Sequence, residues 1–301
     1  MDTLTLSHSQ LESFEQCPSK WYLQKIARMP QAPSDALILG DAVHQSIEAD
    51  GRRRVFTQSG LTMEAMGAIF TRTLETRLAK DDQWGLLQGK RVEMRSRGLA
   101  MLRAYHSGFA SDYYPAAVEA TFPDVLLEPE DGNSSETPRI RFTGRIDART
   151  TAPRGRNSFI VDFKTAAKPW ERGIEHRKPQ ADAYLWADTR GYERPASGVT
   201  FVVMSTCQTG PDGWVSTVET RTTTRTPEQL VAYERRVRAV AGEIVATKAA
   251  GQSAFAHNTG PLCGWCGYWS HCEAGKAWLR AKGRTPAVPG VNDRGEPVEW
   301  E

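Results

Sequence analysis

Several things are scarce or missing in this sequence, and each absence removes a class of explanation. No uninterrupted apolar run of about 18 residues occurs, which excludes a membrane-spanning helix. The opening residues, MDTLTLSHSQLESFEQC, lack the basic-then-apolar order of a secretory signal. The expectation is therefore a cytoplasmic protein with no membrane partner. Cysteine is sparse, with five residues, and a reducing compartment favours metal ligands or buried thiols over disulfides. The phosphate loop G-x-x-x-x-G-K-[ST] is absent, so any unwinding of a duplex would have to come from a partner such as a helicase or recombination protein. Net charge is only +2 and by itself does not argue for nucleic acid. What remains is an ordinary globular composition, 40% hydrophobic and 25% charged over 301 residues, enough for one large core or two modest ones.

The distribution of charge is more informative than its total. Residues 139–178 carry eleven Lys/Arg against four acids, a local +7, so the rest of the chain is −5. Such a concentration suits a phosphate-binding surface. It equally suits solvated arginines on exposed strand faces.

Apolar spacing predicts a helix over 5–28, capped by Ser7 or Ser9 and interrupted at Pro18. A second helix begins near Gly40-Asp41 and runs through His44 and Ile47. Two more, at 62–80 and 88–110, form a helical subregion. Residues 116–127 read as a strand, and the polar stretch EPEDGNSSETP as a loop. Strands follow at 139–150 and 157–165, then a helix at about 179–190. Further strands lie near 198–206 and 213–222, and a helix at about 227–249 starts behind Thr226-Pro227. The order is mixed α/β. From about 284 the chain is Pro/Gly-rich and polar, and 284–301 is expected to be a disordered tail.

Chemistry concentrates on the pair RIRFTGRIDART and NSFIVDFKT. In a strand, Arg145 and Asp147 share a face, as do Ile160, Asp162 and Lys164. A hairpin folded about Arg154-Gly155 sets Asp147 across from Asp162 and Ile146 across from Phe163. That register gathers apolar residues on one face and two carboxylates with a lysine on the other, and a slip of one residue would destroy both matches. Two close carboxylates repel unless one is protonated or a cation lies between them. Oxygen donors of this kind suit Mg²⁺ or Mn²⁺, and the Lys164 ammonium could orient a water or stabilise charge developing on a phosphate. The plainer alternative is a surface Asp–Arg–Lys network.

Gly144-Arg-Ile-Asp147 followed by Asp162-Phe-Lys164-Thr resembles the PD-(D/E)XK nuclease core in its RecB-like form, the form of the CRISPR-associated exonucleases. Leu39-Gly40-Asp-Ala-Val-His44 is similar to the motif that supplies a metal-binding histidine, and Gln180-Ala-Asp-Ala-Tyr184 to the Q-x-x-x-Y motif after the catalytic lysine. Glu119 falls where many members have an acidic strand residue. The resemblance implies a restriction-endonuclease-like mixed sheet flanked by helices, one nuclease domain over 1–283. It implies Asp147, Asp162 and His44 as ligands of Mg²⁺ or Mn²⁺, with the Phe163 carbonyl as a further one. Lys164 would assist the attacking water, with Gln180 and Tyr184 positioning Lys164 or substrate. The substrate would be DNA, single-stranded or with free ends, cut exonucleolytically in recombination, repair or processing. Arg145 and Arg149 are the candidate DNA contacts.

The cysteines add a second constellation. Cys263, Cys266 and Cys272 give C-x2-C-x5-C within residues 263–272, a spacing that wraps a short loop around a metal centre. A four-ligand site needs one more donor. Cys17 is the best candidate although it lies 246 residues earlier, and His271 is a weaker substitute. Cys207, behind the apolar run FVVMST, reads as a buried thiol. Spacing leaves zinc and iron–sulfur open. The same family resemblance implies a [4Fe–4S] cluster on Cys17, Cys263, Cys266 and Cys272, closing the chain ends over the core, with Trp265, Tyr268 and Trp269 as shields or, where exposed, as stacking surfaces for bases. The alternative is a nuclease-inactive iron–sulfur or zinc protein that binds DNA or a recombination partner.

Overall fold

A computed structural model describes residues 3–82, 85–129, 138–151, 158–209 and 213–300. In chain order the N-terminal elements are β1 (Leu4–Leu6), α1 (His8–Gln16), α2 (Pro18–Lys25), α3 (Asp35–Thr57), α4 (Met63–Asp81) and α5 (Arg91–Gly108). Then come β2 (Pro115–Thr121), β3 (Val125–Leu127), β4 (Ile140–Phe142), β5 (Arg145–Thr151), β6 (Ser158–Ala166), α6 (Pro179–Gly191), β7 (Gly198–Gln208) and β8 (Trp214–Thr223). The chain finishes with α7 (Pro227–Ala250), α8 (Glu273–Ala281), β9 (Gly290–Val291) and β10 (Pro297–Val298).

Local chemistry explains most boundaries. Cys17 is extended between α1 and α2, and Pro18 opens α2 at a position where its missing N–H costs nothing. The second predicted helix starts earlier than Gly40, because the Ser34 side chain accepts from Leu37 N and caps α3 at Asp35. Thr226 and Gln229 close a capping box on α7, with Pro227 in its first turn. The predicted strand 116–127 divides into β2 and β3 around Pro123, which has no amide proton for a ladder. The predicted strand 139–150 likewise divides into β4 and β5, where Thr143 N donates to Leu6 O and the Gly144 carbonyl accepts from Phe122 N.

The central sheet has the order β2-β5-β6-β7-β8, antiparallel except for the parallel β6–β7 pair. A small sheet, β1-β4-β3, stands beside it. The β5–β6 register is the expected one: Ala148 faces Val161, Arg149 faces Ile160 and Thr150 faces Phe159. The turn at 154–155 lies outside the described residues, as does most of the polar loop 128–138.

Neither face of that hairpin is a solvent face. Ile160, Phe201 and Val203 pack against Tyr184, Trp186 and Tyr233 from α6 and α7. Val161, Phe163, Val202 and Met204 pack against Leu39, Val43 and Tyr105 from α3 and α5. Ile146 belongs to the first core and Ala148, two residues on, to the second. Simple alternation therefore breaks at Asp147, which lies one step past the last paired residues of β5 and β6.

The expected disordered tail is instead folded back on the protein. Antiparallel β9 and β10 pair, Val291 is 1% exposed, and Trp269 Nε1 donates to the Val288 carbonyl at 3.1 Å. Few but well-placed apolar residues hold this segment, with Trp300 meeting Trp269 edge-on at 5.4 Å. Bulk composition does not register contacts of that kind.

Candidate active site

The end of the β5–β6 ladder opens into a cluster of acids. Asp147 Oδ2 accepts from Phe163 N at 2.8 Å and lies 3.5 Å from His44 Nδ1. Asp162 is 1% exposed. Its Oδ1 accepts from Tyr184 OH at 2.8 Å and from Gln180 Nε2 at 2.9 Å, while Gln180 Nε2 also reaches Tyr184 OH at 2.6 Å. Its Oδ2 makes no well-aligned hydrogen bond and faces the Lys164 ammonium at 2.6 Å. Glu119, in left-handed backbone at φ 53°, adds a third carboxylate and pairs with Arg145 at 2.6 Å.

Each side chain arrives for a local reason. Asp162 and Lys164 alternate along β6, and Gln180 and Tyr184 stand one turn apart on α6. His44 comes from α3, whose approach depends on Gly40: a Cβ there would lie 3.2 Å from Thr165 Oγ1, the residue after Lys164. This gives the glycine of the L-G-D-A-V-H stretch a steric reason.

The electrostatics follow from crowding. Burial, then the neighbouring Asp162 charge, push the Asp147 carboxyl up to about 7, against the pull of Phe163 N–H and Lys164. Burial also raises Glu119. It lowers the His44 imidazole, partly offset by Asp162, and His44 hydrogen-bonds to the Phe163 backbone. A neutral His44 keeps a nitrogen lone pair available. The structure thus brings together His44, Asp147, Asp162, Phe163, Lys164, Gln180 and Tyr184. Among the described residues, no three His, Cys, Asp or Glu side chains are gathered tightly enough to hold a metal ion as they stand.

The two candidate DNA contacts part company. Arg145 is paired to Glu119, yet its side chain is 67% exposed. Arg149 is 13% exposed and ion-paired to fully buried Asp188. It also donates to Ser158 Oγ at 3.1 Å and to the Arg194 carbonyl at 2.7 Å, and stacks on Tyr192. Its donors are spent inside the protein, so it is a structural residue and not a DNA contact.

A second site lies at the junction of the chain ends. Cys17, Cys263, Cys266 and Cys272 line one cavity of about 350 Å³. The Cys263 sulfur accepts from Gly260 N at 3.4 Å and the Cys272 sulfur from Gly275 N at 3.3 Å. Burial raises the Cys266 and Cys272 thiols, against the pull of the Tyr268 and Gly275 backbone amides. The ends are tied by other groups too: Ser19 N donates to Ala256 O, Asn258 Nδ2 to Gln16 O, and Trp21 stacks on Phe255. Tyr268 and Trp269 are buried, whereas Trp265 is 70% exposed. His271 is directed away, with its ring nitrogens at the Pro30 carbonyl and Asp293. The histidine at the cavity is His257, which sequence reading passed over. Its Nδ1 lies 3.6 Å from the Cys272 sulfur, and its position six residues before Cys263 was the available signal. Cys207, expected buried, is exposed; it lies at the end of β7, where Gln208 and Thr209 are exposed too.

A family model described as the PD-(D/E)XK nuclease superfamily matches residues 5–273. No curated protein matches the chain. Among solved structures, the chain is similar to the protein SSO0001, with 13% identity over 89% of this chain and 95% of the other, at a TM-score of 0.34. It is also similar to a candidate exonuclease from Eubacterium rectale, with 13% identity over 82% of each chain, at a TM-score of 0.37. Both likenesses are too remote to carry any residue's role across.

Proposed function

This chain belongs to the PD-(D/E)XK nuclease superfamily, and from that membership we propose that it hydrolyses DNA phosphodiester bonds with Mg²⁺ or Mn²⁺. The observation that carries this reading is the pair of carboxylates at the end of the β5–β6 ladder, Asp162 buried and Asp147 half-buried, with one Asp162 oxygen turned to the Lys164 ammonium alone. The donor set fits the ion: hard carboxylate oxygens from Asp147 and Asp162, the Phe163 carbonyl and a neutral His44. A bound divalent ion supplies Lewis-acid charge against developing negative charge on phosphate and acidifies a bound water.

The protein's own residues do the rest. Gln180 and Tyr184 fix Asp162 through Oδ1 and leave Oδ2 for a cation. Phe163 N–H fixes Asp147. The Lys164 ammonium, 30% exposed, offers positive charge at the mouth of the site for the scissile phosphate or the attacking water. Single-strand preference, exonucleolytic action and a place in recombination or repair rest on the RecB-like order of the motifs.

The cysteine cavity is read as the seat of a [4Fe–4S] cluster on Cys17, Cys263, Cys266 and Cys272. The four cysteines line one cavity together with His257 and Trp269, and the preference for a cluster over a lone zinc ion rests on the RecB-like order of the motifs.

The test is digestion of end-labelled single- and double-stranded DNA by anaerobically purified protein with Mg²⁺, Mn²⁺ or EDTA. Asp162→Ala and Lys164→Ala should each lose on the order of a thousandfold or more in rate while remaining folded. Sustained cleavage by either folded variant would overturn the assignment.

A further inference from the structure

The described cations of the basic window are unevenly partnered; Arg154 and Arg156 lie outside the described residues. Arg139 pairs with Glu128, Arg141 with Asp124, Arg145 with Glu119 and Arg149 with Asp188. Lys164 is held by Asp162. Lys168, Arg172 and Arg177 are exposed and have neither an ion pair nor a hydrogen bond among the described residues. All three lie on the segment joining β6 to α6. The acids of that segment are Glu171, which is exposed, and Glu175, which is buried beside His176.

This segment is anchored at both ends and in its middle. Trp170 packs on Phe201 with ring centroids 5.3 Å apart, and Lys178 Nζ sits 4.7 Å above the Trp170 ring. His176 Nδ1 meets Thr223 Oγ1 at 3.1 Å, and Arg225 donates to the Lys178 carbonyl at 3.1 Å. Phe201 is the β7 register partner of Asp162, so Trp170 lies one strand over from that carboxylate, on its face. The segment leaves the site just after Lys164 and re-enters it at Gln180, which donates to Asp162. Three unpaired cations are thus mounted on a fixed platform whose two ends are active-site residues.

We propose that the Lys168–Lys178 segment is the surface that holds the substrate strand, with Lys168, Arg172 and Arg177 contacting its backbone phosphates. This rests on the nuclease reading. A regularly charged phosphodiester chain is the ligand whose charge complements spaced, solvent-facing cations beside a phosphate-cleaving centre. Trp170, committed to the core and to Lys178, secures the platform and is not a base-stacking surface.

The experiment compares wild type, a Lys168→Gln/Arg172→Gln/Arg177→Gln triple and a charge-matched Arg95→Gln/Arg235→Gln/Lys248→Gln control. The control residues are exposed on α5 and α7 and their side chains are unpaired among the described residues. Binding of a fluorescein-labelled oligo(dT) is followed in EDTA across a salt series, and steady-state cleavage is followed with Mg²⁺. The segment triple should flatten the plot of log Kd against log salt by about 0.7 per lost contact, roughly 2 for all three. Its KM should rise about tenfold or more while kcat stays within about twofold. The control should keep the wild-type slope. Arg172→Gln alone, with a melting curve, covers misfolding of the triple and should lower the slope by about 0.7. An unchanged slope in the folded triple, or an equal loss in the control, overturns the proposal while leaving the nuclease reading intact. Wild type that neither binds nor cuts any DNA removes the nuclease reading itself, and the proposal with it.

Discussion

The acidic centre and the cysteine cavity solve opposite problems. At the acidic centre the fold itself places the donors: Phe163 N–H, Gln180, Tyr184 and Lys164 hold the two aspartates on adjoining strands of one sheet. At the cavity, four thiols from the two ends of the chain surround open volume, and their partners are a few backbone amides, one carbonyl and His257. The first site is a product of the fold. The second is a seam, held by α1 and α2 against residues 252–258. Removing a metal should therefore cost activity in one place and architecture in the other.

The largest stability effect is expected at the seam. Cys17→Ala should abolish the brown colour of anaerobically purified protein and lower the melting temperature by about 5 °C or more, since a bound metal centre contributes directly to folding free energy. Iron and sulfide analysis with calorimetry checks this. Stoichiometric zinc in a colourless wild type would refute the cluster and leave the acidic centre untouched.

A smaller effect of opposite character is expected at the acidic centre. The Asp147 carboxyl is raised in the folded protein to about 7 from its ordinary 3.8. Its contribution is fully present below that ordinary value and is lost as pH rises through about 7. Metal-free protein should therefore lose stability between pH 5 and 8, by an amount on the order of a few kcal/mol at most. Mg²⁺ should restore more at pH 8 than at pH 5, because it competes with the proton. Melting curves of wild type and Asp147→Asn, with and without EDTA, decide it: a pH dependence that survives the substitution would place its source elsewhere.

The smallest effect is expected at Cys207. Exposed at the far end of β7, it should be replaceable by alanine with colour, cleavage and melting temperature unchanged within about 1 °C. A bleached Cys207→Ala protein would show that the cavity's ligands have been misassigned.

The hairpin was legible because its information is local: alternating residue types on two neighbouring strands admit one register, and the structure has it. Gln180 and Tyr184 were legible from helical spacing. Arg149 was not, since its partner Asp188 lies 39 residues away on α6 and nothing in RIDART distinguishes a buried guanidinium from a solvent-facing one. The same holds for the break in alternation at Asp147, where Ile146 and Ala148 enter different cores. The C-terminal hairpin escaped notice because a few contacts at Val288, Val291 and Trp300 outweigh a polar composition. Cys207 is exposed because burial along β7 stops after Thr206, a boundary that the apolar run FVVMST before it does not mark.

The seam between α2 and the C-terminal segment also has a timetable. During synthesis, Cys17 emerges 246 residues before Cys263, which at roughly 5–20 residues per second is an interval of about 10–50 s. Throughout that time Trp21 has no Phe255 to stack on, and the sulfur of Cys17 is available to whatever thiol-reactive species is nearby. The strands of the sheet and the residues of the acidic centre have all been made by Thr223, whereas α7, whose Tyr233, Val237 and Ile244 complete the first core, and the other three seam cysteines come later. The first cysteine made is the one left waiting.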